Sequence, residues 1–318
     1  MSNGDTAADD VWTVQRILQW TTDFLRQKNI ELPRLEAELL LAHARQCPRI
    51  RLYTDFEIPL TTEERARMRD YVTRRSRREP LAYITGHREF YGREFLVGAG
   101  VLVPRPETET LVDVCLDYLP KSQATLVAEV GVGSGCIAVT LARQRPLCRI
   151  LATDISTDAL TFASENVRTH QVEAQVQLID GDGLTPFFNH HTAAAAARPR
   201  CSEEEDVSPE SVSAAPEPVE SRSADLSNGA ACFDGIVSNP PYLRDEVLQN
   251  TAAEIRLHED PRALVSGEDG LDLVRILIRD APQILKPGGW MALEVDPQQC
   301  ATVAELLKAQ GFADIHIH

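Results

Sequence analysis

Asn239-Pro240-Pro241-Tyr242 follows directly on an apolar run, FDGIVS, at residues 233–238. Neither proline has an N–H to give, so the strand must stop there and turn. The turn carries an amide (Asn239), a carbonyl of fixed direction (Pro240) and an aromatic ring (Tyr242). An amide oxygen and a backbone carbonyl can together accept both protons of a planar NH₂ group, and the ring can stack on it. That constellation suits reaction at a poorly nucleophilic nitrogen, an amide or an exocyclic base amine. Alignment and hydrogen bonds that draw density onto nitrogen would do most of the work.

A second constellation lies upstream in AEVGVGSGCIAVTLA, residues 128–142. Gly131, Gly133 and Gly135, with Val132 and Ser134 between them, form a strand-to-helix turn that lets backbone approach a ligand. The dinucleotide pattern G-x-G-x-x-G fails at Cys136, and no phosphate-cradling G-x-x-x-x-G-K-[ST] is present. Three acids stand at or just past successive strand ends: Glu129, Asp154 and Asp182, the last beside Gly183. Singly, each is equally at home as a cap or turn residue. Together they repel phosphates and suit an ammonium (Glu129), ribose hydroxyls (Asp154) and an adenine edge (Asp182). A ligand with those three parts and no phosphate is S-adenosyl-L-methionine. Asn239, at the next strand end, should face its methyl group.

These residues need a frame that brings strand ends together. TLVAEV, CRILAT, QVQLI, FDGIVS and GWMALEV read as short strands, with helical stretches at 135–144, 157–169 and 270–285 between them. Alternation of this kind implies an α/β fold, a doubly wound, mostly parallel sheet. Ahead of it, residues 1–80 read as a small helical domain. There Ile17, Trp20 and Phe24, and Leu35, Leu39 and Ala42, recur at helical spacing, with Pro33 in a first turn and Thr61 or Thr62 as an N-cap. Residues 81–105 read as a β-hairpin linker, and 106–318 as the catalytic domain. Residues 189–231, rich in Ala, Pro, Ser and Glu, cannot bury enough apolar surface to order themselves and read as a disordered insertion.

The chain has 318 residues, 43% of them hydrophobic, and a net charge of −16. That balance argues against a nucleic-acid coat. The seven cysteines make no C-x-x-C pair, so neither a disulfide framework nor a zinc site is expected. No signal-like start and no membrane-length apolar run is seen, which points to the cytoplasm and to no membrane partner. Nine arginines between Arg65 and Arg93 stand out from the acidic whole, either as a solvated face with acids nearby or as a docking surface for an acidic protein.

REPLAYITGHREFYGREF, VLVPRPETE, GVGSGCIAV, ATDIS, NPPY and EDPRALVSGEDGLD together resemble the peptide chain release factor glutamine N5-methyltransferases, the PrmC/HemK family, from about residue 12 to the end, outside the insertion. The resemblance implies a class I S-adenosylmethionine-dependent methyltransferase fold behind an N-terminal helical domain. It implies methyl transfer to the side-chain amide of the glutamine in the Gly-Gly-Gln motif of class I release factors, with no stable nucleic-acid binding. Residues 131–135 and Asp154 would hold the cofactor, with Asn239, Pro240, Pro241 and Tyr242 at the glutamine. The sequence departs from the family at Glu129, where Asp is commoner, at Val132 in place of Thr, and at Gly183, where a bulky residue often covers the adenine. The alternatives are a ribosomal-protein glutamine methyltransferase and a DNA adenine or rRNA guanine N-methyltransferase. FADIHIH reads as a sixth strand lacking a neighbour. It should therefore fray, pair with GWMALEV, or be completed by some 15 further residues in the natural chain.

Overall fold

The computed structural model describes residues 11–188 and 232–318; the expected insertion at 189–231 lies outside the described residues.

Four helices come first: α1 (Val14–Gln27), α2 (Pro33–Arg45), the single turn α3 (Arg51–Thr54) and α4 (Thr62–Ser76). Local chemistry sets their ends. Pro33 opens α2, and Thr61 and Glu64 form a reciprocal capping box on α4. The buried stripe of α1 includes Val14, Ile17, Leu18, Thr21 and Leu25; Ile17 was expected there, whereas Trp20 and Phe24 lie outside it. Trp20 is 48% exposed and stacks on Phe24 at 5.2 Å along the rim of the core. On α2 the expected Ala42 is buried, but Leu35 and Leu39 give way to Ala37, Leu40, Leu41 and Ala44. In both helices a wider i, i+3, i+4, i+7 stripe wins over the larger side chains at its edge.

The linker differs from the sequence expectation. It begins with a helical turn, α5 (Leu81–Thr85), and only then forms the antiparallel hairpin of β1 (His87–Phe90) and β2 (Arg93–Leu96). Tyr83 of α5 donates its hydroxyl to the Val101 carbonyl at 2.6 Å, tying the helical region to the loop that precedes the sheet.

After α6 (Thr108–Tyr118), the chain alternates β3 (Thr125–Val130), α7 (Cys136–Gln144), β4 (Cys148–Asp154), α8 (Thr157–Thr169) and β5 (Val176–Asp180). Beyond the insertion come β6 (Phe233–Ser238), the short helices α9 (Asp245–Asn250) and α10 (Ala253–His258), α11 (Asp272–Asp280), β7 (Leu285–Leu293) and α12 (Cys300–Ala309). The sheet order is β5-β4-β3-β6-β7, every pair parallel. β3 is buried along its whole length, as a strand covered on both faces must be. Val127 belongs to the core under α6 and α7, whereas Leu126, Ala128 and Val130 belong to the core under α11. Gly235 is needed inside β6 because a Cβ there would stand 2.2 Å from the Trp290 ring.

FADIHIH forms no strand. Phe312 packs on the core beside β7, and 313–318 run without regular pairing, so β7 pairs with β6 alone among the described residues. β7 itself begins four residues before the expected GWMALEV.

The chain order reverses at β3, which has β4 on one side and β6 on the other. Ligand crevices in such sheets open there, beyond the carboxyl ends of the strands. The register pairs Val130 with both Thr153 and Ser238, so Gly131, Asp154 and Asn239 leave three adjacent strands at one level.

Candidate active site

Gly131, Gly133 and Gly135 all have positive φ, at +75°, +54° and +79°. A Cβ would stand 3.9 Å from Asn239 O at Gly131 and 3.9 Å from Val101 Cγ2 at Gly133, so backbone strain rather than crowding calls for glycine there. At Gly135 it would press on Ala163 of α8 at 3.4 Å, so this glycine seats α7 against α8. Asp154 closes the turn from the neighbouring strand. Its Oδ2 accepts from Gly133 N–H and its Oδ1 from Ser156 N–H, both at 2.9 Å. Each oxygen keeps a lone pair for a further donor. Burial pushes the Asp154 pKa up, against the pull of the Gly133 and Ser156 amides and of Arg262.

The turn, Asp154 and the loop after β5 enclose an open cleft. Gly131, Val132, Gly133, Ser134, Asp154, Asp182, Gly183, Asn239 and Pro241 all line it. The Thr153 hydroxyl donates to Gly183 O at 3.0 Å and fixes the 181–183 turn against β4.

Four sequence-predicted residues are placed elsewhere. Gly135 lies behind the cleft as the N-cap of α7. Glu129 is fully buried and does not reach the cleft lining. Side chains alternate along a strand, so Val130 faces the cleft and Glu129 turns with Val127 toward the core under α7. Burial raises its pKa well above the ordinary value; the Ala138 N–H offsets this in part. Neither carboxylate oxygen has a well-formed hydrogen bond among the described residues.

Pro240 lines neither the cleft nor the groove beside it, and Tyr242 falls on the far side of the Asn-Pro-Pro-Tyr turn. Pro240 is buried, and its carbonyl accepts no hydrogen bond among the described residues. Tyr242 lines a second, larger open groove with Glu107, Glu294 and Asp296, running along β7. The turn is thus a wall between two spaces, with Asn239 and Pro241 on one side and Tyr242 on the other. Its position depends on Gly270, where a Cβ would stand 2.1 Å from Tyr242 O. Gln299 Nε2 donates to that same carbonyl at 2.9 Å.

Sequence reasoning assigned no role to Arg105, Thr108, Arg262 or Glu294. Arg105, Thr108 and Arg262 line the cleft, and Glu294 the groove. Arg105 Nη2 lies 2.6 and 2.7 Å from the two oxygens of Glu259, whose side chain is 1% exposed. Thr108 Oγ1 accepts from Asn239 Nδ2 at 3.2 Å. Arg105 and Glu259 lie in the motifs PRPETE and EDPRAL, 154 residues apart, so no local pattern paired them.

The arginine-rich stretch divides. Arg74 pairs with Glu79 at 2.5 Å. Arg75, 5% exposed, pairs with Glu36 at 2.5 Å and Glu254 at 3.1 Å, and Arg78 reaches Glu254 at 3.3 Å. The two pairs to Glu254 bind the helical region to α10. Arg65, Arg67, Arg69, Arg77, Arg88 and Arg93 make no ion pair among the described residues.

A parallel sheet of this order, with a glycine turn after its central strand and acids at the neighbouring strand ends, defines a class I S-adenosylmethionine-dependent methyltransferase. Residues 16–86 match the PrmC N-terminal domain, and residues 108–199 match the Methyltransferase small domain. The release factor glutamine methyltransferase of Geobacter sulfurreducens is 36% identical over 309 residues, 97% of this chain and 93% of that protein. The protein of the same name from Rhodopirellula baltica is 36% identical, covering 98% and 94%, and that from Koribacter versatilis 37%, covering 87% and 84%. The chain belongs to the release factor glutamine methyltransferase family.

Proposed function

We propose that this chain methylates the side-chain amide nitrogen of the glutamine in the Gly-Gly-Gln motif of class I peptide chain release factors. The observation that carries the reading is the Asn-Pro-Pro-Tyr wall. It presents Asn239 to the glycine-lined cleft and Tyr242 to the neighbouring groove, in a chain similar throughout to proteins of that name.

The cleft fits S-adenosylmethionine. Its glycine cradle leaves open the space that Cβ atoms would fill, Asp154 retains acceptor capacity for ribose hydroxyls, and Asp182 borders the same space. Bound there, the cofactor supplies an electrophilic methyl group on a sulfonium. Asn239 Oδ1 and Pro240 O accept the two N–H bonds of the glutamine amide, fix its plane and enrich its nitrogen. Tyr242 stacks on the amide from the groove. The methylated nitrogen gives up its proton readily, so no dedicated base is required. Glu129 acts from beneath the turn as part of its buried floor. The helical domain, taken as residues 1–80, docks the release factor through its unpaired arginines. No helix among the described residues is long and apolar enough to cross a membrane, and a translation-termination substrate places the activity in the cytoplasm.

The test is transfer of a radiolabelled methyl to purified release factor, ribosomal protein, DNA and rRNA. Release factor alone should be labelled. Asn239→Ala should cut its turnover by roughly 10²-fold or more, with cofactor affinity little changed. Preferential labelling of DNA or rRNA would refute the substrate, and near-normal turnover by Asn239→Ala would refute the site.

A further inference from the structure

An asparagine is an ambiguous catalytic group. Oδ1 accepts and Nδ2 donates, the two ends are nearly equal in size, and only Oδ1 can accept a hydrogen bond from a substrate NH₂. Flipped by 180°, Asn239 would offer a donor to a donor. The chosen orientation therefore needs support from the protein.

Part of that support is Thr108, the first residue of α6, 2% exposed and 3.2 Å from Asn239 Nδ2 through its Oγ1. A hydroxyl both gives and takes, so Thr108 alone would tolerate either end of the amide. Glu294 removes the ambiguity. Its backbone N–H donates to Ser238 O at 3.0 Å, which sets Glu294 beside the residue preceding Asn239. Its Oε2 is buried and, among the described residues, has no hydrogen bond of good geometry. Burial pushes the Glu294 pKa up, with the Glu107 charge adding to it, and the neighbouring Thr108 hydroxyl and Asn239 amide pull it back down. A carboxylate has acceptors only. Facing it, Thr108 must turn its single proton toward Glu294 and leave its lone pairs for Nδ2. Asn239 must then keep its NH₂ on that side. Such contacts are often long before substrate seats and tighten with it.

We propose that Glu294 and Thr108 are positioning residues that hold the Asn239 amide with Oδ1 toward the substrate nitrogen. Neither touches the reacting atoms. The inference rests on Asn239 being the acceptor described above.

The experiment compares Thr108→Val, Thr108→Ser, Glu294→Gln and Asn239→Ala in the full chain, alone and in combination. Thr108→Val and Glu294→Gln should each lower kcat about 10-fold, the scale of a lost hydrogen bond, with cofactor Kd unchanged. Thr108→Ser should recover most of the rate. In the Asn239→Ala background neither change should cost anything further, because the group they position is gone. A merely structural role would lower Tm and turnover whether or not Asn239 is present. A substrate-free readout accompanies this. The Asn239 side-chain NH₂ signals, assigned by their loss in Asn239→Ala, should exchange slowly in the wild type and quickly in Thr108→Val. Wild-type kcat in both single variants, equal losses in the Asn239→Ala background, or unaltered NH₂ exchange would overturn the proposal. Full activity of Asn239→Ala would instead bring down the functional reading itself.

Discussion

Replacing Arg105 by alanine isolates one buried charge. Glu259 keeps 1% of its side chain exposed and has Arg105 as its ion-pair partner, at 2.6 Å. Removing one member of a buried pair strands the other, at about 3–5 kcal/mol. Arg105 is itself 30% exposed, so water can enter where it stood and the lower figure, about 3 kcal/mol, applies. For a chain of this size that is a fall of roughly 4–5 °C in Tm. The loss should depend on pH in a definite direction. Burial raises the Glu259 pKa even with Arg105 present. A carboxylate whose folded pKa lies above its unfolded one contributes stability that is full below the unfolded pKa and is lost as pH rises through the folded pKa. Without Arg105 the folded pKa moves higher still. The gap between wild type and variant should therefore be small near pH ~5 and widen toward pH ~8. Calorimetry across that range measures it, and Arg105→Ala with Glu259→Gln should restore most of the loss. A gap that does not change with pH, or one under about 1 kcal/mol at pH ~8, would refute the buried-charge reasoning.

Asp154→Ala should weaken S-adenosylmethionine binding by about 10-fold or more, since it removes both free acceptor sites and the anchor of Gly133; unchanged affinity by calorimetry would exclude a ribose role. Gly270→Ala forces a Cβ to 2.1 Å from Tyr242 O at φ +79°, so Tm and turnover should fall together; a variant with wild-type Tm would contradict the close approach. Glu254→Ala leaves Arg75 its Glu36 partner but cuts the tie to α10. Release-factor KM should rise while cofactor affinity holds, and equal KM values would show that the tie does not orient the helical domain.

The sheet was legible because burial on both faces leaves a strong mark. β3 is five apolar or β-branched positions interrupted by one glutamate. The glycine turn was equally plain, since positive φ and close approach demand glycine. The helix faces were harder to read. Trp20 and Phe24 fit a helical period as well as the true stripe does, and only tertiary packing puts Leu18 and Leu25 inside. Glu129 misled for a related reason. Its place near a strand end was correct, but strand alternation at Val130 decided which residue met the cleft. Arg105 with Glu259, and Thr108 with Asn239, pair residues more than 130 positions apart, a proximity that no local pattern encodes. The chain end read as a strand from alternation alone. β-pairing needs a partner edge as well as a pattern, and 313–318 do not take the edge of β7.

The most direct measurement is tandem mass spectrometry of a class I release factor after incubation with this protein and S-adenosylmethionine. The account predicts one added methyl group, on the side-chain amide of the glutamine in the Gly-Gly-Gln motif, and none when Asn239→Ala replaces the wild type. A methyl group on any other residue, or an unmodified glutamine under conditions where the protein binds both cofactor and release factor, would contradict it.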